Sequence, residues 1–203
     1  MTWSQLRLRF PQRFRALRTW AGSRLVAHQE YSTRPFAFVW DATTRVRGLP
    51  FYGLDHLSED GAVFSGRLAG LLKLFSGSDR EVRRASMLRY LSESIWFPQV
   101  LAGDEIRWEE VDPRRARALL TAGGETVEGV FEFDEEPKPV AFSAMRPRDV
   151  NGKSVPTMWR GELWEHVRVD GVEIPSRAKV SWMLEEGPFT YWEARIEGLR
   201  FWG

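Results

Sequence analysis

In the last third of the chain, apolar and polar residues alternate over spans that only a one-sided β-sheet accommodates. Val172, Ile174, Ala178, Val180, Trp182 and Leu184 fall on one parity, with Glu173, Arg177, Lys179 and Glu185 on the other. Met158 to Val169 repeats the pattern, setting Trp159, Leu163, Val167 and Val169 against Arg160, Glu162, His166 and Arg168. A period of two sends successive side chains to opposite faces, so each strand has one buried face and one wet face. Such sheets are antiparallel. The expected class is mainly β (α+β): a curved antiparallel sheet forming an open half-barrel, with one long and one short helix covering its concave face.

Turn chemistry sets the strand boundaries. Arg47-Gly48, Asp60-Gly61, Gly123-Gly124, Asn151-Gly152 and Asp170-Gly171 punctuate the alternating runs, and such dipeptides supply the positive φ of tight hairpins. They predict strands near 24–31, 36–46, 50–58, 61–67, 105–110, 115–121, 125–133, 139–145, 158–169, 172–184 and 189–201. Short connections make the topology a meander. Phe131 and Phe133 share parity with Gly129, Trp159 with Gly161, and Trp192 and Ile196 with Ala194; bulk beside small residues lets a face curve. The apolar parity shifts at Gly198, which predicts a β-bulge there.

Two segments break the strand rhythm. Ser78-Asp79-Arg80-Glu81 reads as a capping box; Ala85, Leu88, Leu91 and Ile95 follow at helical spacing and Pro98 closes the run. Leu68, Leu71, Leu72 and Phe75 form the stripe of a shorter helix that stops at Gly77. Arg89 and Glu93 pair at i,i+4 on another face, which favours a surface role, while the sequence leaves open which way Glu93 points.

At 203 residues with 43% hydrophobic and 13% aromatic content, the chain can bury one substantial core. We expect a single domain over 1–203, with a basic segment at 1–22 and a helical lid at 68–97. The 29 basic and 28 acidic residues nearly cancel, so no overall field favours nucleic acid. Arg7 to Arg24 nonetheless holds six arginines and no acid, which fits either a solvated arm or peripheral contact with an anionic membrane.

Functional exclusions are broader than assignments. The absence of cysteine removes disulfides, thiolate metal sites and cysteine nucleophiles. His28, His56 and His166 lack metal-ligand spacing, and no nucleotide-binding or nucleophile-elbow motif is present, so no metal and no cofactor is expected. The longest apolar run, Leu68 to Phe75, is far short of the ~20 residues of a membrane span. No signal-peptide core is visible in the given sequence. A soluble, cytoplasmic chain is expected, with an already removed export signal left open.

Several motifs resemble those of an uncharacterised bacterial protein family. Leu91-Ser92-Glu93-Ser94-Ile95-Trp96-Phe97-Pro98 resembles its L-x-E-x-x-W-F-P signature. Phe38-Val39-Trp40-Asp41-Ala42, Arg148-Asp149-Val150-Asn151-Gly152, Val155 to Gly161 and Tyr191-Trp192 match in order, from about residue 18 to the end. The chain departs from the pattern at Met158 and Glu193, where proline and arginine are expected. The resemblance implies a fold similar to the lipoprotein-carrier (LolA/LolB-like) superfamily, whose half-barrels hold acyl chains between sheet and helices.

Three functions follow. The leading one is non-enzymatic binding or carrying of a lipid or other hydrophobic small molecule. Its contacts would be Phe38, Trp40, Trp159, Trp182 and Trp192 from the sheet and Leu88, Leu91, Ile95 and Trp96 from the helix. The second is a protein-interaction module using sheet edges or the short apolar helix. The third is a hydrolase or isomerase for an apolar substrate, with Glu93 as acid or base. No motif assigns catalysis.

Overall fold

The computed structural model describes residues 2–6, 12–14 and 23–201. It is mainly β, and its strands form two open antiparallel sheets of seven strands each. The first holds β1 (Thr2–Leu6), β2 (Gln12–Phe14), β3 (Ser23–Arg34), β4 (Ala37–Val46), β5 (Leu49–Ser58), β6 (Gly61–Leu68) and β7 (Leu72–Gly77). The second holds β8 (Ile106–Asp112), β9 (Arg115–Ala122), β10 (Glu125–Phe133), β11 (Pro139–Val150), β12 (Lys153–Val169), β13 (Val172–Leu184) and β14 (Gly187–Arg195). From β3 to β7 and from β8 to β14 each strand pairs with the next; β1 and β2 share the outer edge of β3. The expected single sheet is thus interrupted once. Between the halves lie α1 (Arg80–Glu93), a 3₁₀ turn (Ser94–Trp96) and α2 (Pro98–Leu101).

Four of the hairpin turns have the backbone that their dipeptides require. Arg47-Gly48, Gly123-Gly124, Asn151-Gly152 and Asp170-Gly171 all have positive φ at both central residues, matching the right-handed twist of the flanking strands. Ala69-Gly70 does the same, and here the structure corrects the sequence reading. Leu68–Phe75 is not a helix: Leu68 ends β6, Ala69 and Gly70 turn, and Leu72 pairs back with Leu68. Glycine at a positive-φ position favours the hairpin. The helical lid therefore shrinks from 68–97 to α1 and the 3₁₀ turn, and the short helix of the fold is α2, which Pro98 opens.

Two finer expectations also move. Asp79, not Ser78, caps α1 by accepting from the Val82 amide at 2.9 Å, while Glu81 accepts from the Ser154 hydroxyl. In the last strand the bulge lies at Tyr191, because Val180 faces Trp192 and Ser181 faces Thr190. Gly198 is beyond β14, with φ 69°.

The helical segment is anchored to both sheets. Tyr31 of β3 stacks between Tyr90 and Phe97, with ring centroids 4.3 and 4.0 Å away. Its hydroxyl donates to the Tyr90 carbonyl and the Tyr90 hydroxyl donates to that of Ser32, both at 3.0 Å. Burial raises the pKa of both phenols, so they remain donors. On the other side the Trp96 indole donates to the Pro175 carbonyl of β13 at 2.8 Å. One buried apolar cluster runs through both sheets and α1. Among the described residues, no helix is long and apolar enough to cross a membrane. The basic segment 1–22 lies largely outside the described residues, and with it the expected membrane contact.

Candidate functional site

Between the two sheets, beside α1, lies a cavity of about 470 Å³. Trp40 and Phe51 supply the first sheet's wall, Ile95 and Trp96 the helical side, and Phe142, Trp159, Leu163 and Trp192 the second sheet's wall. Phe64 and Leu74 line it too while remaining 40% and 45% exposed, which puts its mouth at the β6–β7 hairpin. The volume falls within the ~300–1,000 Å³ range of small-molecule sites.

Small residues keep this space open. A Cβ on Gly161 would meet nothing nearer than two carbonyl oxygens at 4.0 Å, so the glycine leaves room at the wall. Gly129 works differently: its missing side chain is replaced by the Phe142 ring, whose Cζ lies 2.1 Å from where a Cβ would sit. Phe142 packs edge-on to Phe131 and to Trp159, with centroids 4.8 and 6.0 Å apart. The bulge at Tyr191 matters here, because it lets two consecutive residues, Tyr191 and Trp192, both line the cavity.

The nine residues expected to touch a ligand divide. Trp40, Ile95, Trp96, Trp159 and Trp192 line the cavity. Leu88 and Leu91 belong to the solid core. Phe38 is buried beneath the Arg89 guanidinium, 5.1 Å from its ring centroid. Trp182 stands one layer back, stacked on Tyr191 at 5.9 Å.

One polar cluster at the cavity turns Arg89 and Glu93 inward, against the surface role that their i,i+4 pairing favours. Arg89 donates through Nε to Glu93 at 2.7 Å, through Nη1 to Asp55 at 2.9 Å, and through Nη2 to the Gln29 amide oxygen at 2.8 Å. The second oxygen of Glu93 accepts from Gln29 Nε2, and that of Asp55 from the Ser86 hydroxyl. The Arg89, Asp55 and Glu93 side chains are only 16%, 4% and 12% exposed. Burial alone would lower the pKa of Arg89. The charges of Glu93 and Asp55, with their hydrogen bonds, outweigh that effect and hold it above the ordinary guanidinium value. Every carboxylate oxygen and each guanidinium nitrogen has a partner, as a buried ion cluster requires.

Part of this cluster was visible as an anomaly of parity. Gln29 lies between Ala27 and Tyr31, and Asp55 between Gly53 and Leu57, on buried positions of β3 and β5. Polar residues on an apolar parity mark an internal network, but i,i+4 spacing alone does not say which way a helix face points.

A second arginine, Arg146, follows Phe142 and Ala144 on the inward parity of β11 and lines the cavity. Its guanidinium lies over the Trp159 ring at 4.8 Å. Nη1 is 3.5 Å from the Tyr191 hydroxyl, the limit of a hydrogen bond, and the buried Nε has no partner. Lys179 borders the cavity with its carbonyl beside Gly161, whereas its side chain lies on the outer parity of β13 and pairs with Glu162 at 3.0 Å. Among the described residues no group of three histidine or carboxylate side chains is placed to hold a metal ion.

The sequence matches a family of unknown function (DUF6544) over residues 2–194, and the chain belongs to that family. No curated protein and no solved structure matches it.

Proposed function

We propose that this member of the family binds a lipid or similar hydrophobic small molecule non-covalently in the cavity between its two sheets and α1. One observation carries the reading: about 470 Å³ of space survives amid aromatic and aliphatic side chains that could otherwise have closed on one another. Apolar burial at ~25 cal/mol per Å² supplies affinity. The fold similarity to lipoprotein carriers that the family resemblance implies points to the same reading by analogy alone. Exchange passes Phe64 and Leu74 at the mouth, since tyrosines and the Arg89 cluster tie α1 down.

The test is native mass spectrometry of gently purified protein with organic extraction, followed by titration with dodecan-1-ol read by tryptophan fluorescence. Saturable one-to-one binding is expected, and Gly161→Phe should abolish it by filling the space that the glycine leaves. Binding that Gly161→Phe leaves untouched would move the ligand out of this cavity.

The interaction-module reading keeps one supporting observation. The β6–β7 tip exposes Leu71 to 92% and Leu72 to 58%, an apolar edge suited to a partner chain. The catalytic reading has less support, because both Glu93 oxygens are already engaged by Arg89 and Gln29.

A further inference from the structure

Two arginine side chains stand at the cavity wall, and one of them is answered. Arg89 is held between two carboxylates. Among the described residues Arg146 makes no ion pair: no carboxylate oxygen lies within 4.0 Å. The guanidinium is half-buried beside an apolar cavity, and its buried Nε–H has given up water without gaining an acceptor.

A second donor stands beside it. The Tyr191 hydroxyl accepts from the Trp159 indole at 2.8 Å, which uses a lone pair and leaves the phenolic hydrogen free. No acceptor for that hydrogen lies among its contacts. The Trp159 ring under the cation, the indole hydrogen bond and the β14 bulge together hold both donors at the same wall. Arg83 also has a buried, unpartnered Nε. It donates through Nη2 to the Glu59 carbonyl instead and does not line the cavity.

The acidic side of the cavity offers no comparable vacancy. All four oxygens of Asp55 and Glu93 already accept hydrogen bonds. A cationic ligand group would have to break that cluster, whereas an anionic one completes Arg146 and Tyr191.

We propose that the ligand is an amphiphile: an aliphatic chain in the cavity, ending in a compact oxyanion, carboxylate or phosphate, received by the Arg146 guanidinium and the Tyr191 hydroxyl. This rests on the cavity-binding reading and adds the chemistry of the head group. Guanidinium matches a planar or tetrahedral oxyanion through paired N–H donors, and an aromatic floor with few polar groups fixes orientation.

Three ligands of one chain length separate the terms: dodecanoate, dodecyl phosphate and dodecan-1-ol, titrated at pH 8 against wild type, Arg146→Gln and Gly161→Phe. Wild type should bind the better anion at least about tenfold more tightly than the alcohol, the scale of a hydrogen bond to a charged group. Whichever anion binds more tightly names the head group. In Arg146→Gln the preference should disappear while dodecan-1-ol affinity stays within about twofold, which also shows that the variant folds. Equal affinities in wild type, or a preference that survives Arg146→Gln, would overturn the head-group assignment alone. Failure of all three ligands to bind wild type, or undiminished binding by Gly161→Phe, would overturn the cavity reading and take this inference with it.

Discussion

Arg89 and Arg146 share one cavity and one kind of floor. Each guanidinium lies about 5 Å over tryptophan, Arg89 at 5.0 Å over Trp40 and Arg146 at 4.8 Å over Trp159. Around Arg89 the fold supplies two carboxylates and an amide, drawn from β3, β5 and α1, with Ser86 of α1 completing Asp55. Around Arg146 it supplies only a tyrosine hydroxyl at long range. The first arginine is therefore part of what fixes α1 on the sheet, whereas the second is held in place with its donors unspent. Burial of a charge does not by itself distinguish structure from function; completeness of its partners does.

The largest test of this contrast removes each cation in turn. Arg89→Met strands two buried carboxylates and should cost about 3–5 kcal/mol of stability, read from urea unfolding. Arg146→Met strands no anion, and its loss should stay within about 1 kcal/mol, the worth of a cation–π contact. Equal destabilisation by the two variants would erase the distinction.

A smaller effect separates the wall from the head-group donors. Gly129→Ala forces a methyl into the ring of Phe142, which is 1% exposed and cannot swing to solvent. Overpacking of this kind costs about 1–3 kcal/mol. Because Phe142 is a cavity wall, dodecan-1-ol affinity should fall while the preference for an anion persists. A lost preference with intact alcohol binding would mean that Phe142 positions Arg146.

The smallest effect belongs to a third arginine, at the surface. Arg160 holds Glu132 through two hydrogen bonds of 2.6 and 2.8 Å, with both side chains nearly 30% exposed. The hydrogen bonds from Arg160 keep the Glu132 carboxyl below its usual range. A folded pKa below the unfolded one gives stability that is complete above the unfolded value of about 4.3. That stability is lost as pH falls through the folded value. Solvent screening limits the loss to about 0.5 kcal/mol. Urea midpoints of wild type and Glu132→Gln should converge by that amount on acidification, and parallel curves would assign the pair no weight.

These arginines also mark where sequence reasoning ran out. The antiparallel meander was legible because period-two alternation and glycine turns are local signals, and 125–133 and 172–184 match β10 and β13 at both ends. The segment 68–75 was not, since a leucine stripe suits a helix and an edge strand alike. Only its pairing with β6 decides. Of the expected contacts, Trp40, Trp159 and Trp192 line the cavity while Trp182 of the same alternating pattern does not, and Leu88 and Leu91 belong to the core because helix rotation is set by the sheets around it.

By itself the sequence determined most strand spans and the hairpin turns, because side-chain alternation and backbone φ depend on near neighbours. Tertiary structure alone decided that the meander splits into two sheets and that α1 turns Arg89 and Glu93 inward. It also decided that a bulge brings Tyr191 beside Arg146 and that a cavity remains between them. Those outcomes depend on packing and hydrogen-bond partners tens of residues apart, where no local pattern reports which donor will be left without an acceptor.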